Sequence, residues 1–343
     1  MADASTVRID DRDGLQPAGA AFGGLKPAAV PRPHELSILI VTWNSARWIE
    51  KCLDSIPAAC GDLEHEIIVY DNASSDDTLA IIAEREDLLI RSDRNDGFGA
   101  AMNRAFARSS GRYVFLLNPD CELEPRALEL VYGFLDANPN AAAAAPLLAD
   151  DDGGSQREFQ LRRLPTLWSF AAEIFAIGRF FPRATARHRY RDLDLTRPQR
   201  VEQPAGAALM IRREVFEEIG PLDEQFAPAW FEDVDYCARL AAAGKEVWVV
   251  PAAAARHFGG ASLEHLSFAR FQELWYRNMW RYAHKWLRAG EAEALRWAII
   301  AGMAARIVAA LAGVAHRDIG PRRAARAYAG VLRKAFLRWR ESP

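Results

Sequence analysis

What most narrows the fold of this chain is a repeated pattern: an apolar run of strand length that stops abruptly and is followed by residues at helical spacing. "LSILIVTWN" stops at Trp43 and Asn44, "HEIIVYDN" at Asp71 and Asn72, and "YVFLLNPD" at Asn118, Pro119 and Asp120. After the first run, Trp48, Ile49, Cys52, Leu53 and Ile56 recur at helical intervals, and after the second, Ser74, Ser75 and Asp76 are candidates to cap another helix. A short strand near "LLIRS" and a turn, "NDGFG", then lead into an alanine-rich helix from about Ala100. Strand and helix in alternation predict an α/β fold with a Rossmann-like, mainly parallel sheet flanked by helices. Ligands of such sheets lie at the carboxyl ends of the strands, so the polar stops read as the floor of a binding site. The Gly97-Phe98-Gly99 turn lacks the spacing of a dinucleotide or P-loop motif.

The second half carries the reactive carboxylates. A strand over Ala207 to Ile211 and a short helix precede "WFEDVDYCARLAAAG", where Glu232, Asp233 and Asp235 crowd a first helical turn. Acids there offset the helix dipole, but Trp230 and Phe231 just ahead of them suit a partly desolvated pocket in which an aspartate gains basicity. Because Glu232 and Asp233 are adjacent, they cannot straddle a sugar ring as two glycosidase carboxylates do. Strand "EVWVVP" leads on toward His257, which with Asp120 could hold one Mn²⁺ or Mg²⁺.

The length of 343 residues and the 50% hydrophobic content allow one large domain with an appendage. Cys52, Cys60, Cys121 and Cys237 form no CxxC pair, so reduced thiols are expected. Residues 1–35 mix Gly, Pro and Asp without an apolar core of signal-peptide length and are expected to be a disordered leader, with the catalytic part in the cytoplasm. The catalytic unit then occupies 36–262. From His265 onward the formal charge is +10, against −13 for the rest, so 263–343 reads as a basic helical extension. Within it, Trp297 to Ala315 is apolar apart from Arg306, which disfavours a membrane span, while an interfacial helix on anionic lipid suits the charge. Nucleic acid is a poorer match, since the body is acidic and no recognition motif occurs.

Seven motifs, in order over about 36–262, resemble the family 2 glycosyltransferases of GT-A fold, and among them the rhamnosyltransferase-like bacterial enzymes. They are "ILIVTWNSARWIEKCLDSI", "IIVYDNASSDDT", "NDGFGAAMNRA", "YVFLLNPDCEL", "GAALMIRREVFEEIGPLDEQF", "FEDVDYCARL" and "HFGGAS". The resemblance implies that Trp43, Asn44, Asp71 and Asn72 bind the nucleotide-sugar, with Asn95, Gly97, Phe98, Asn103 and Asn118 completing that side. It makes Asp120 and His257 the metal residues, Asp233 the catalytic base, and Glu232 and Trp230 acceptor contacts, and it leaves Asp235 structural.

The implied activity is a metal-dependent, inverting hexosyl transfer in cell-envelope polysaccharide synthesis. The donor is a nucleotide-diphospho-sugar, dTDP-rhamnose favoured, and the acceptor a saccharide or lipid-linked saccharide at the inner face of the cell membrane. A non-catalytic nucleotide-sugar binding module fits every motif but Asp233. A sugar nucleotidyltransferase would need a glycine-rich, basic loop near the first strand, which "VTWNSARW" lacks.

Overall fold

The computed structural model describes residues 7–10, 34–83, 85, 87–259, 266–314 and 319–339. β2 (Leu36–Thr42) lies near the middle of the sheet and is buried along its whole length, as its unbroken apolar sequence requires. Its side chains alternate between two cores: Leu36, Ile38 and Ile40 face one, Leu39 and Val41 the other. β3 (His65–Asp71) and β5 (Tyr113–Leu117) flank it in parallel, and β4 (Leu88–Arg91) pairs with β3.

α1 (Ile49–Cys60) covers the first core and α3 (Phe98–Arg108) the second. The short α2 (Thr78–Ile82) follows β3. Next come β6 (Cys121–Leu123), α4 (Ala127–Ala137) and β7 (Ala141–Ala149). The following segment, in which the sequence shows no clear periodicity, folds into α5 (Arg157–Gln160), β8 (Leu161–Arg162), α6 (Leu167–Ile174), α7 (Ile177–Phe180), α8 (Pro182–Ala186), β9 (Gln199–Val201) and β10 (Gln203–Pro204). β11 (Ala208–Arg212) then slots between β5 and β7, antiparallel to both, so that half of the sheet is mixed. After α9 (Arg213–Ile219) and α10 (Glu232–Ala242), β12 (Glu246–His257) runs parallel to β7 and pairs with β6 at its far end.

One expectation about the ends of the chain changes. Within the leader expected to be disordered, Val7–Asp10 form β1, an edge strand parallel to β4. The edge of β4 offers unpaired backbone groups, and four residues suffice to use them. The other residues of 1–33 lie outside the described residues.

At the other end, three helices follow, Phe268–Trp286, Ala289–Leu311 and Pro321–Phe336, referred to below as the first, second and third C-terminal helices. They share a third core with α6 and with Phe226 and Phe231, so the helical extension packs onto the catalytic body.

Candidate active site

The ends of β2, β3 and β5 meet because the strands are parallel neighbours in register, Thr42 opposite Asp71 and Ile40 opposite Leu117. Asn72 N–H donates to the Thr42 carbonyl at 2.8 Å, closing the first two ends together. Asp71 is buried, and its oxygens accept from Thr42 Oγ1 and Ser74 N–H, both at 3.0 Å. That orients the carboxylate and leaves further lone pairs for a ligand.

Asn72 accepts from Asp96 N–H at 3.1 Å, and Asn95 from Gly97 N–H at 2.9 Å, so both shape the turn that opens α3. Gly97 adopts φ +89°, and a Cβ there would sit 3.0 Å from the backbone of Pro228, whose carbonyl accepts from Phe98 N–H at 2.7 Å. Trp43 lies half-buried at the same edge.

Two of the residues expected to bind nucleotide also brace the loops. The Asn44 carboxamide oxygen accepts from Ser75 N–H at 2.7 Å and Ser75 Oγ at 3.2 Å, which ties two strand ends together and takes Ser75 away from capping α2. Asn103 holds both the N–H and the carbonyl of Leu222, at 2.8 and 2.9 Å. A side-chain amide that mimics a strand partner in this way satisfies backbone groups far along the chain, and sequence spacing cannot reveal it.

Asp120 is delivered to His257 by the short β6–β12 pairing, in which His257 faces Cys121. Asp120 Oδ1 lies 3.6 Å from His257 Nε2, and both side chains are buried. Gln156 fixes the imidazole: its amide nitrogen donates to the His257 carbonyl at 2.5 Å, and its oxygen faces Nδ1 at 3.0 Å. An amide oxygen only accepts, so Nδ1 carries the proton and the Nε2 lone pair turns toward Asp120. Burial also pushes the histidine pKa down, against the pull of Asp120, which favours the neutral ring.

Cys121 completes a cluster whose donor atoms lie within 4.8 Å, but its thiol donates to the Ala207 carbonyl at 3.4 Å and burial holds it well above the ordinary thiol pKa. The donors that fit a hard divalent cation are therefore a carboxylate and a neutral imidazole nitrogen. Asn118 stands at the same strand end, with its N–H on the Ala207 carbonyl at 2.8 Å.

Three acids open α10, and each has a different environment. Asp235 is fully buried and accepts from Arg239 Nε at 3.0 Å, Trp286 Nε1 at 2.8 Å and Lys285 Nζ at 2.8 Å, a structural role as expected. Asp233 is half-buried, with Oδ2 on Gly206 N–H at 2.9 Å and Oδ1 on Val234 N–H at 2.8 Å. Burial raises its pKa, while these N–H groups and the field of Arg162 pull it back.

Glu232 packs beside Gly99 at the head of α3, with Oε2 buried and without a hydrogen-bond partner. Burial first and the Asp233 charge second push its pKa up to about 8. The Asp233 charge is among what pushes Glu232 up, which favours Glu232 as the protonated partner of the pair.

Several residues that complete the site lie outside the expected set. Gly206 connects the two halves, since its N–H holds Asp233 while its neighbour Ala207 accepts from Asn118. Arg162, on β8 opposite Gln203, has no carboxylate partner among the described residues, whereas nearby Arg163 pairs with Glu202 at 2.7 Å and Arg189 with Glu158 at 2.9 Å. Burial, and then this cationic surrounding, pushes His188 down to about 4.

Trp230 and Phe231 both take left-handed φ, +71° and +80°, a strain that the first C-terminal helix supports. Its buried Asn278 donates to the carbonyls of Phe226, Ala229 and Trp230 at 2.6 to 3.0 Å. Trp230 packs edge-on against Phe271, and Phe231 against Trp275.

The profile of the family described as "Glycosyl transferase family 2" matches residues 37–220, more than half of the chain. The N-acetylglucosaminyl-diphospho-decaprenol L-rhamnosyltransferase of Mycobacterium tuberculosis (strain H37Rv) is 28% identical over 236 residues, 65% of this chain and 75% of that one. The rhamnosyltransferase WbbL of Escherichia coli (strain K12) is 26% identical over 228 residues, 64% of this chain and 82% of that one. Among solved structures, the mannosyltransferase PcManGT from Pyrobaculum calidifontis, in complex with GDP-Man and Mn²⁺, superposes with a TM-score of 0.53. That match has 17% identity and spans 90% of this chain and 88% of that one, a likeness of fold. With this profile match, these relatives and a mixed sheet flanked by helices, the chain belongs to glycosyl transferase family 2, has the GT-A fold and is rhamnosyltransferase-like.

Proposed function

We propose that this transferase moves a sugar, with inversion, from a nucleotide-diphospho-sugar to a hydroxyl of a saccharide or lipid-linked acceptor at the cytoplasmic face of the membrane, in cell-envelope polysaccharide synthesis. Rhamnose is the favoured sugar and dTDP-rhamnose the favoured donor, on the strength of the two relatives named for rhamnosyl transfer.

The observation that carries the mechanism is the setting of Asp233. Its carboxylate is desolvated enough to gain basicity, is aimed by two backbone N–H groups, and sits beside a Glu232 that burial and the Asp233 charge favour in its neutral form. Asp233 takes the proton of the acceptor hydroxyl as that oxygen attacks the anomeric carbon opposite the leaving diphosphate. One displacement inverts the configuration, and no covalent enzyme intermediate forms. Glu232 and Trp230 border the acceptor side. Trp43, Asp71, Asn72, Asn95, Gly97 and Phe98 border the nucleotide, with Asn118 at the junction. Asp120 and His257 would hold Mn²⁺ or Mg²⁺, which supplies neutralisation of the charge on the departing diphosphate.

The test is release of nucleoside diphosphate from a panel of dTDP-, UDP- and GDP-sugars with membrane lipid extract as acceptor. Acceptor-dependent release from one donor is expected, lost with EDTA and restored by Mn²⁺ or Mg²⁺. Asp233→Asn should lower kcat by about 10²–10⁴-fold with donor binding unchanged. Equal rates for wild type and variant would instead mark a nucleotide-sugar binding module.

A further inference from the structure

The second C-terminal helix is apolar on both sides: it buries Leu295, Ile299 and Met303, and its exposed positions carry no charge. Arg296 is buried against the Ala335 carbonyl, and Arg306 reaches in to the Ile174 carbonyl at 3.0 Å. Its exposed positions are alanine and glycine with Trp297, Val308 and Leu311, the last two 68% and 67% exposed. A helix on a soluble body ordinarily presents charged or polar residues on its outer side. By length and composition this helix could cross a membrane, but its inner side packs against α6 and the other two C-terminal helices, so it lies along the body.

A second feature joins it. Ile174, which touches Gly302 and bonds Arg306, closes α6, and the chain then passes through α7 and α8. There Phe180 and Phe181 are 71% and 67% exposed and Phe175 is exposed as well. Exposed Arg179 and Arg183 lie among them, and no acid occurs from Phe175 to His188. Beyond the second C-terminal helix, the third exposes Arg322, Arg323 and Arg326.

Scattered surface aromatics need no explanation, but exposed rings, an outward apolar helix side and arginines without acids together form the pattern of an interfacial surface. We infer that α7–α8 and the outer side of the second C-terminal helix dock together on an anionic phospholipid bilayer. The rings and Val308 and Leu311 enter the headgroup boundary, and the arginines meet lipid phosphates. The charge selects this occupant, since a second copy of this chain on the same face would set arginine against arginine. The surface is legible without knowing the acceptor, while its use, holding the site at the membrane where a lipid-linked acceptor resides, rests on the proposed function.

Full-length protein is mixed with vesicles of phosphatidylcholine alone or with 30–40% phosphatidylglycerol, roughly the range that gives a strongly negative surface, and floated on a density gradient. Binding to the anionic vesicles is expected, weakening with salt. Phe180→Asp with Phe181→Asp, and separately Val308→Asp with Leu311→Asp, should each lower it about tenfold or more. Both sets lie at exposed positions, so melting temperature and nucleotide-sugar affinity should be unchanged. Because the vesicles contain no saccharide acceptor, the result does not depend on whether the proposed transfer is correct. No binding of wild type to anionic vesicles, or binding that both variants retain, overturns the inference. So does a dimer in solution that the same substitutions dissociate.

Discussion

Glu232 and Asp233 are one peptide apart, yet the fold gives them different surroundings. Asp233 has two backbone donors, whereas Glu232 has a buried oxygen with none, and the neighbouring charge keeps its proton on up to about pH 8. An unfolded chain releases that proton near 4.5, the ordinary value. The folded state therefore binds the extra proton between those limits, and the stability contributed by this group falls as pH rises from about 4.5 to about 8. Glu232→Gln should remove that slope and melt about 2–4 °C above wild type at pH 8, with little difference at pH 4.5; a scan of melting temperature against pH reads this directly. The acid limb of kcat/KM should stay in place in the same variant, because Asp233, the proposed base, sets it. A large shift of that limb would mean that Glu232 is the base.

At the scale of elements, the site depends on a junction with little slack. β11 begins next to Gly206, whose N–H sets Asp233, and a Cβ on Gly206 would lie 2.8 Å from the Asp233 Cβ. Gly206→Ala must therefore displace the head of α10, and a shift of about 1 Å in a catalytic group costs about 10²-fold in rate. The expected result is kcat lower by about that factor with nucleotide-sugar affinity retained, measured by initial rates and calorimetry. "GAALM" marks this glycine as part of a motif, but its contact with Asp233 spans 27 residues of sequence and is made only when β11 and α10 pack. Gln156 lies further off still, 101 residues from the histidine it orients. The expected helices and strands of 36–120 could be read because burial on a sheet leaves an apolar period in the sequence. The segment from Asp150 to Gln203 leaves none, because its short pieces are held by side chains such as Gln160, which bonds β7 at both ends of its amide.

For the whole molecule, the first C-terminal helix buttresses the head of α10. Asn278, Trp275 and Phe271 support the strained Trp230–Phe231 turn, and Trp286 and Lys285 hold Asp235. A chain ending at residue 266 should lose transfer even to a soluble saccharide acceptor, beyond any loss of membrane binding; retained activity on such an acceptor would show that the helices serve only for docking. The sequence by itself determined the alternating sheet, the strand ends that carry Asp71 and Asp120, and the carboxylates at the head of α10, because periodicity and polar stops are local consequences of burial. Only the tertiary structure decided that Asn44 and Asn103 brace the loops, that Glu232 is pushed toward its neutral form, and that the basic tail packs onto the body. Each of these follows from which distant groups are brought together and cut off from water, and neither partner's position along the chain encodes that meeting.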